Sequence, residues 1–174
     1  LAYRHCLLYP IVAKDVAIIS FDPRVKFYIK DEQRENNRLK RNRIQANKAR
    51  RNYLDAIDND AKFKAIFVCY SASNKQDVLS NLLLDRTIQE KMLDDFAIKE
   101  PEKFNKLFNN SQIELQAFIE EAIAKGELVR SDVNQTVLTP EGGFIGANMK
   151  EALAYFSNPE NADYKRALET KLKL

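Results

Sequence analysis

Eight basic side chains lie close together between residues 34 and 51, and they are the residues of this chain best suited to specific recognition. They are Arg34, Arg38, Lys40, Arg41, Arg43, Lys48, Arg50 and Arg51. Because Glu35 is the only acid among them, the segment carries a net charge of +7, whereas the whole chain carries +3. Arginine forms paired hydrogen bonds with phosphates and carboxylates. The segment therefore predicts a polyanionic partner, either nucleic acid (DNA or RNA) or an acidic protein surface. A solvated basic helix without a partner is the alternative.

The other chemistry-bearing residues do not form a catalytic or metal-binding pattern. His5 is the only histidine, so one chain cannot form a histidine metal cluster or a His-dependent triad. Adjacent carboxylates such as Asp94 and Asp95 point in different directions on a helix. The glycine-rich segment 142–146 matches neither phosphate-binding glycine motif and is typical of a turn. We therefore expect a protein that is not an enzyme and that has no catalytic residue, cofactor or metal.

Length and composition set the outer limits of the fold. A chain of 174 residues can hold one domain, or a compact domain with an extended arm. No apolar run approaches the roughly 20 residues that span a bilayer, so no membrane partner is expected. Cys6 and Cys69 are far apart in sequence and are not part of a C-x-x-C motif. Such isolated cysteines are typical of reduced thiols in an intracellular protein.

The residues before the basic segment have the composition of β-strands. Asp15–Phe21 and Val25–Ile29 are rich in β-branched and aromatic residues. Asp22 and Pro23 predict a turn between them. Because two short strands are marginal alone, we expect residues 1–30 to form a β arm that pairs with a neighbouring strand. The docking positions would be Val25, Phe27 and Ile29.

A long helix is predicted over residues 31–58, which contain neither glycine nor proline. Its apolar residues form a thin stripe: Leu39, Ala46, Ala49, Tyr53 and Ile57. A stripe so narrow cannot drive strong burial, so we expect most of this basic helix to project or to lie on an acidic surface.

Residues 59–174 predict a helical domain with one small hairpin near residues 127–139. One core face repeats at i, i+3, i+4 and i+7: Phe63, Ile66, Phe67 and Tyr70. Asn74 is a candidate cap for the next helix, and Ser111 with Glu114 matches a capping box. The predicted fold class is therefore mainly α (α+β), with an N-terminal β arm, a long basic helix and this helical domain.

The order of three helices and a hairpin between residues 88 and 139 is similar to that of a winged helix, whose third helix enters the major groove. Here the third helix, residues 111–125, has a net charge of −2, and phosphates would repel it. Any nucleic acid would therefore be held by residues 34–51. Only Tyr53 is near enough in sequence to stack on a base, so contacts would be to the backbone.

Two stretches resemble small structural or accessory proteins of large tailed bacteriophages. One is Phe21–Ile29 running into a charged helix, and the other is residues 151–156 followed by Asn158-Pro159-Glu160-Asn161 and a leucine-bearing helix. The resemblance covers about half of the chain and provides no catalytic residue. It implies a phage protein that resides in the virion, or in the host cytoplasm during assembly.

Two functions follow from these patterns as expectations. The first is a non-enzymatic structural or assembly component of a tailed-phage virion, docked on other protein subunits through the β arm and the basic helix. The alternative is a nucleic-acid-binding accessory protein that uses residues 34–51.

Overall fold

The computed structural model describes residues 2–14, 18, 21–28, 32–131 and 133–173. The chain forms two compact units, residues 1–44 and 45–174. The predicted mainly α fold with a few strands is confirmed, because most of the described residues are helical and both sheets are small. The long helix α2 (Glu32–Ile57) begins in the first unit and ends in the second.

The first unit contains the short helix α1 (Ala2–Cys6) and a sheet of two strands, β1 (Val12–Ala13) and β2 (Phe27–Tyr28). The two strands run parallel. The Lys26 amide donates a hydrogen bond of 2.9 Å to the carbonyl of Ile11. A two-residue parallel pair is weak, because strands this short bury little surface.

The strands of this unit differ in extent and position from those that the sequence predicts. β2 falls within the predicted strand 25–29, of which Ile29 lies outside the described residues. Of the predicted strand 15–21, the structure describes only Ile18 and Phe21, and neither belongs to a strand.

A local turn explains part of this difference. The amides of Phe21 and Asp22 both donate to the carbonyl of Ile18, at 3.1 and 3.0 Å. The Asp22 carboxylate accepts hydrogen bonds from the backbone amide of Arg24 and from its guanidinium Nε and Nη2, at 3.0, 3.0 and 2.9 Å. The bonds from Arg24 lower the pKa of the Asp22 carboxyl. Such side-chain bonds to nearby backbone compete with strand pairing.

The second unit contains the end of α2, seven further helices and a three-stranded sheet in its described residues. The helices are α3 (Asp60–Ser73), α4 (Val78–Leu82), α5 (Arg86–Lys99), α6 (Pro101–Phe108), α7 (Ile113–Ala124), α8 (Met149–Ser157) and α9 (Ala162–Leu172). A 3₁₀ turn, Pro159–Asn161, precedes α9.

Two of the predicted helix starts are wrong. Asn74 ends α3 by donating its amide to carbonyls of the last turn, and Asp77 caps α4 instead. Asp77 is the N-cap because its carboxylate accepts hydrogen bonds from two helix amides, those of Leu79 and Ser80. Ser111 makes no cap, since α7 begins two residues later without a side-chain cap.

The sequence also predicts a helix with Pro101 in its first turn and another that begins at Asn148 with Glu151, and the structure confirms both. Pro101 opens α6. Asn148 caps α8 by accepting from the Glu151 amide at 3.1 Å, and the Glu151 carboxylate accepts from the Ala147 amide at 2.9 Å. This is a reciprocal capping arrangement.

The predicted hairpin exists and is extended by a third strand. β3 (Val129–Arg130) and β4 (Val137–Leu138) pair antiparallel, and β4 pairs with β5 (Phe144–Gly146). The third strand was missed because its glycines suggest only a turn. Gly146 is required for another reason: a Cβ atom there would lie 2.6 Å from the Ala152 backbone nitrogen in α8.

Two clusters of apolar side chains form the core of the second unit, and α7 contributes to both. Ile113 and Ala117 belong to the first cluster, with buried side chains of α2, α3, α5 and α6. Ile119 and Ala122 belong to the second, with buried side chains of β4, β5, α8 and α9. The predicted core face of α3 is confirmed: Phe63, Ile66 and Phe67 are buried and Tyr70 is half-buried.

The caps of α4 and α5 predict loss of stability in acid. Hydrogen bonds from helix residues lower the pKa of Asp77 and Asp85. A carboxyl whose pKa is lower in the folded state stabilises the fold above its unfolded pKa of about 3.9, and this contribution disappears as the pH falls through the folded pKa. Asparagine can cap without titrating. We expect the Asp77→Asn/Asp85→Asn variant to lose less stability than the wild type between pH 6 and about pH 2.5.

Urea unfolding followed by circular dichroism at each pH measures this difference. Asp55→Asn, at an exposed position within α2, is the control, and its free energy of unfolding should fall with pH as steeply as that of the wild type. An equally steep fall in the capping variant and the wild type would contradict the assignment of Asp77 and Asp85 as stabilising caps.

Candidate partner-binding surfaces

Five basic residues of the predicted site lie in the first unit, on the exposed N-terminal part of α2. Arg34, Arg38, Lys40, Arg41 and Arg43 are all exposed. Arg38 approaches Glu35 at 3.9 Å with both side chains well solvated, a geometry that contributes little to stability. Lys40, Arg41 and Arg43 form no ion pair with any described residue. Three cations of this part of the helix are therefore available to a partner.

The remaining predicted site residues, Lys48, Arg50 and Arg51, belong to the second unit. They too are exposed, and none forms an ion pair within the described part of the chain. The structure thus places all eight basic residues of the predicted site on one exposed helix, but it does not gather them around a pocket.

The C-terminal part of α2 is fixed to the second unit by a small buried face. Ala49 and Ala56 are completely buried. Asn52 lies between them and donates from Nδ2 to Asn105 Oδ1 at 2.8 Å. Asn105 in turn donates to the carbonyl and to Oε1 of Gln45, at 3.0 and 2.9 Å. Buried polar groups are costly unless paired, so this chain of amides fixes how α2 lies against α6.

The apolar periodicity of the sequence predicts only part of the face that α2 buries. The Ala49, Tyr53 and Ile57 end of the apolar stripe packs on the core, whereas Leu39 and Ala46 are exposed. A buried asparagine pair gives no periodic apolar signal, which is why Asn52 and Asn105 were missed.

Arg86 holds the end of α2 against α3 and α5. Its Nε donates to Glu90 at 2.8 Å, and its Nη2 lies 3.4 Å from the Ile57 carbonyl and 3.4 Å from Asp60. The guanidinium also stacks over the Phe63 ring, 3.4 Å from its centroid. Cation–π contact adds to the ion pairs when the ring is buried.

The first unit exposes many large apolar side chains. Those with exposed positions in the described residues are Leu8, Tyr9, Ile11, Ile18, Phe21, Phe27, Tyr28, Leu39 and Ile44. Its buried hydrophobic residues, among those described, are Ala13 and Val25. Scattered exposed apolar residues are normal, but a short segment with so many and almost no core is typical of an unpartnered binding surface.

The three predicted strand-docking residues have different positions. Phe27 lies in β2 with 60% of its surface exposed, so it is available to a partner. Val25 precedes the strand and its side chain is buried, so a role in docking would depend on its backbone and stays a prediction. Ile29 lies outside the described residues.

The helix in the recognition position of a winged helix is unsuited to DNA. Glu120 on α7 is 8% exposed and pairs with Arg130 of β3 at 2.8 Å. Glu121 pairs with Lys64 of α3 at 2.9 Å. Because α7 is packed into both apolar clusters and holds these acids, it cannot enter a groove of DNA in this fold.

The described residues contain no group of three or more metal-binding side chains. Burial, with a smaller contribution from Glu120, raises the pKa of the Cys69 thiol to about 12, so this thiol stays protonated at neutral pH. No helix in the described ranges is both long enough and apolar enough to cross a bilayer.

Two open cavities lie on the second unit. A polar one of about 510 Å³ is lined by Gln45, Lys48, Glu102, Asn105, Lys106 and Asn109. The other, of about 320 Å³, is a groove between α3, α7 and α9. Its mainly apolar floor consists of Ala61, Ala65, Val68, Ala117, Phe118 and Leu172.

The buried amides predict a specific loss of stability. Asn52→Ala removes a donor and leaves Asn105 Oδ1 without its partner in a buried site, which typically costs about 1–3 kcal/mol. We expect urea unfolding to show a loss of this size. Asn47→Ala, an exposed change on the same helix, is the control, and it should change stability by less than about 0.5 kcal/mol. Equal effects of the two substitutions would mean that the amide pair does not hold α2.

Comparison with known proteins does not narrow the function further. No protein family, curated protein or solved structure matches this chain. Three surfaces therefore remain as candidates for binding a partner: the apolar residues of the first unit, the basic residues of α2, and the groove between α3, α7 and α9.

Proposed function

We propose that this protein is a non-enzymatic structural or assembly component, of the kind found in tailed-phage virions, that docks on other protein subunits. The docking elements are the first unit and the basic helix α2. The observation that carries this proposal is the distribution of apolar side chains: among the residues that the structure describes in the first unit, many are exposed and few are buried.

An apolar surface of this kind favours a protein partner over nucleic acid. Burying apolar area contributes roughly 25 cal/mol per Å², and the backbone of nucleic acid offers little apolar surface in return. The two-stranded sheet of the first unit supports the same partner, since strand addition beside β2 would complete a marginal sheet. Phe27 would then lie in the interface.

Charge favours a partner that is acidic as well as apolar. Residues 1–44 contain ten basic and five acidic residues, a net charge of +5, whereas residues 45–174 carry −2. Arginines of α2 would form bidentate bonds with carboxylates. Electrostatic complementarity chiefly increases the rate and specificity of association, while apolar burial at the first unit would provide most of the affinity.

A second candidate function is nucleic-acid binding through α2. It is favoured by Lys40, Arg41 and Arg43, which have no ionic partner among the described residues. Contacts would be to the phosphate backbone and independent of sequence.

A salt titration of DNA binding separates the two candidates. If α2 holds phosphates, the logarithm of the association constant should fall with the logarithm of salt concentration by about 0.9 per phosphate contacted. The structural function predicts no measurable DNA binding at low salt, together with co-sedimentation of the protein with particles purified from its biological source. Tight, steeply salt-dependent DNA binding without co-sedimentation would favour the second candidate and contradict the first.

Charge reversal on α2 tests the role of the basic helix. We expect Arg38→Glu/Arg41→Glu/Arg50→Glu to reduce co-sedimentation with particles while the circular dichroism spectrum stays unchanged, because all three side chains are exposed. The matched control reverses three exposed lysines outside the predicted site: Lys75, Lys91 and Lys150. Equal loss in both variants would show that net charge alone matters and would contradict a docking role for α2.

A further inference from the structure

The groove between α3, α7 and α9 is an apolar binding surface with an acidic residue available at its rim. Lys64 pairs with Glu121 at 2.9 Å. Glu114, on the first turn of α7, is exposed and has no ion pair among the described residues. Lys173 is the other rim lysine. The groove thus offers a carboxylate beside an apolar floor, a combination suited to a basic and apolar ligand.

The first unit has the matching properties. Among its described residues, Phe21 has the most exposed apolar side chain, at 87%. The bidentate contact between Asp22 and Arg24 holds the turn that follows Phe21. The backbone beside the ring therefore loses less conformational entropy when the ring binds a partner. The unit carries +5, against −2 for the unit that contains the groove.

We propose that the first unit of one copy docks into the groove on the second unit of another copy, with the Phe21 ring on the floor of the groove. This inference rests on the proposed function and names its first partner, a second copy of this chain. Charge complementarity favours this occupant, since the first unit carries +5 while the charged residues that line the groove, Lys64, Glu114, Glu121, Glu169 and Lys173, sum to −1. Size also favours it, since a cavity of about 320 Å³ can receive one aromatic side chain.

Such a contact joins two different surfaces and is therefore heterologous. A heterologous contact closes into a ring or continues as an open chain of subunits, depending on the rotation between copies. Both outcomes suit an assembly component.

Sedimentation velocity of the full chain, over a wide concentration range, tests the inference. We expect self-association that weakens several-fold between about 0.1 M and about 1 M salt, because the Debye length shortens from about 10 to 3 Å. Phe21→Ser should raise the dissociation constant at least about tenfold, since it removes a large apolar group from the contact. The matched control is Phe144→Ser, which removes an exposed phenylalanine that does not line the groove.

Two substitutions test the groove itself. Ala61→Phe places a large side chain at an exposed position of the floor and should block docking, whereas Ala154→Phe, at an exposed position outside the groove, should not. Glu114→Lys should weaken association, and Glu102→Lys is its control, since both acids are exposed and lie in the first turn of a helix. Circular dichroism should be unchanged in all four variants.

The outcomes separate this inference from the function on which it rests. A wild-type chain that stays monomeric at every concentration, yet co-sediments with particles, overturns the self-contact and leaves the proposed function standing. Self-association that survives Phe21→Ser and Ala61→Phe also overturns it, because the contact would then lie elsewhere. A monomer that neither self-associates nor co-sediments contradicts both.

Discussion

Hydrophobic burial in this chain is concentrated in the second unit, and the two apolar clusters there meet on the helix α7. The largest fully buried side chains of the described residues, from Phe63 to Val137, all lie in this unit. The Glu120–Arg130 ion pair adds a polar tie between α7 and β3. Because the described residues of the first unit form almost no core, their exposed apolar side chains can leave water only against another surface. The proposed docking function is a consequence of this unequal distribution.

The helix α2 combines a narrow buried face in its C-terminal part with a strongly basic exposed surface. Its C-terminal part is held by Ala49, Ala56 and the amide chain through Asn52 and Asn105. Its eight basic residues remain exposed. Since buried amides specify one geometry more strictly than apolar contacts do, the C-terminal part of α2 has a fixed position within the second unit even though its apolar face is narrow. A preformed helix also loses little backbone freedom when it binds.

The sequence predicts the periodic features of the fold and misses the features that depend on single hydrogen bonds. The α3 core face, the start of α6 at Pro101 and the Asn148 cap follow from apolar spacing and local capping chemistry. The Asn52–Asn105 pair has no such signal, because tertiary structure brings its two side chains together. The Asp77 cap is local, but Asn74 is a competing candidate in the sequence. The third strand gives no signal because its glycines suggest only a turn. The basic site could be located from charge alone, whereas the groove could not, since its floor is drawn from three helices.

Hydrogen exchange of backbone amides, measured on the isolated protein and on the protein within purified particles, shows whether a partner covers the first unit. We expect fast exchange at residues 2–14 and 21–28 in isolation, because few buried contacts protect them. We expect marked protection of the same residues in the particle, with little change across the buried positions of α3 and α7. Equal protection of the first unit in both samples would show that it needs no partner, and this would contradict the proposed docking function.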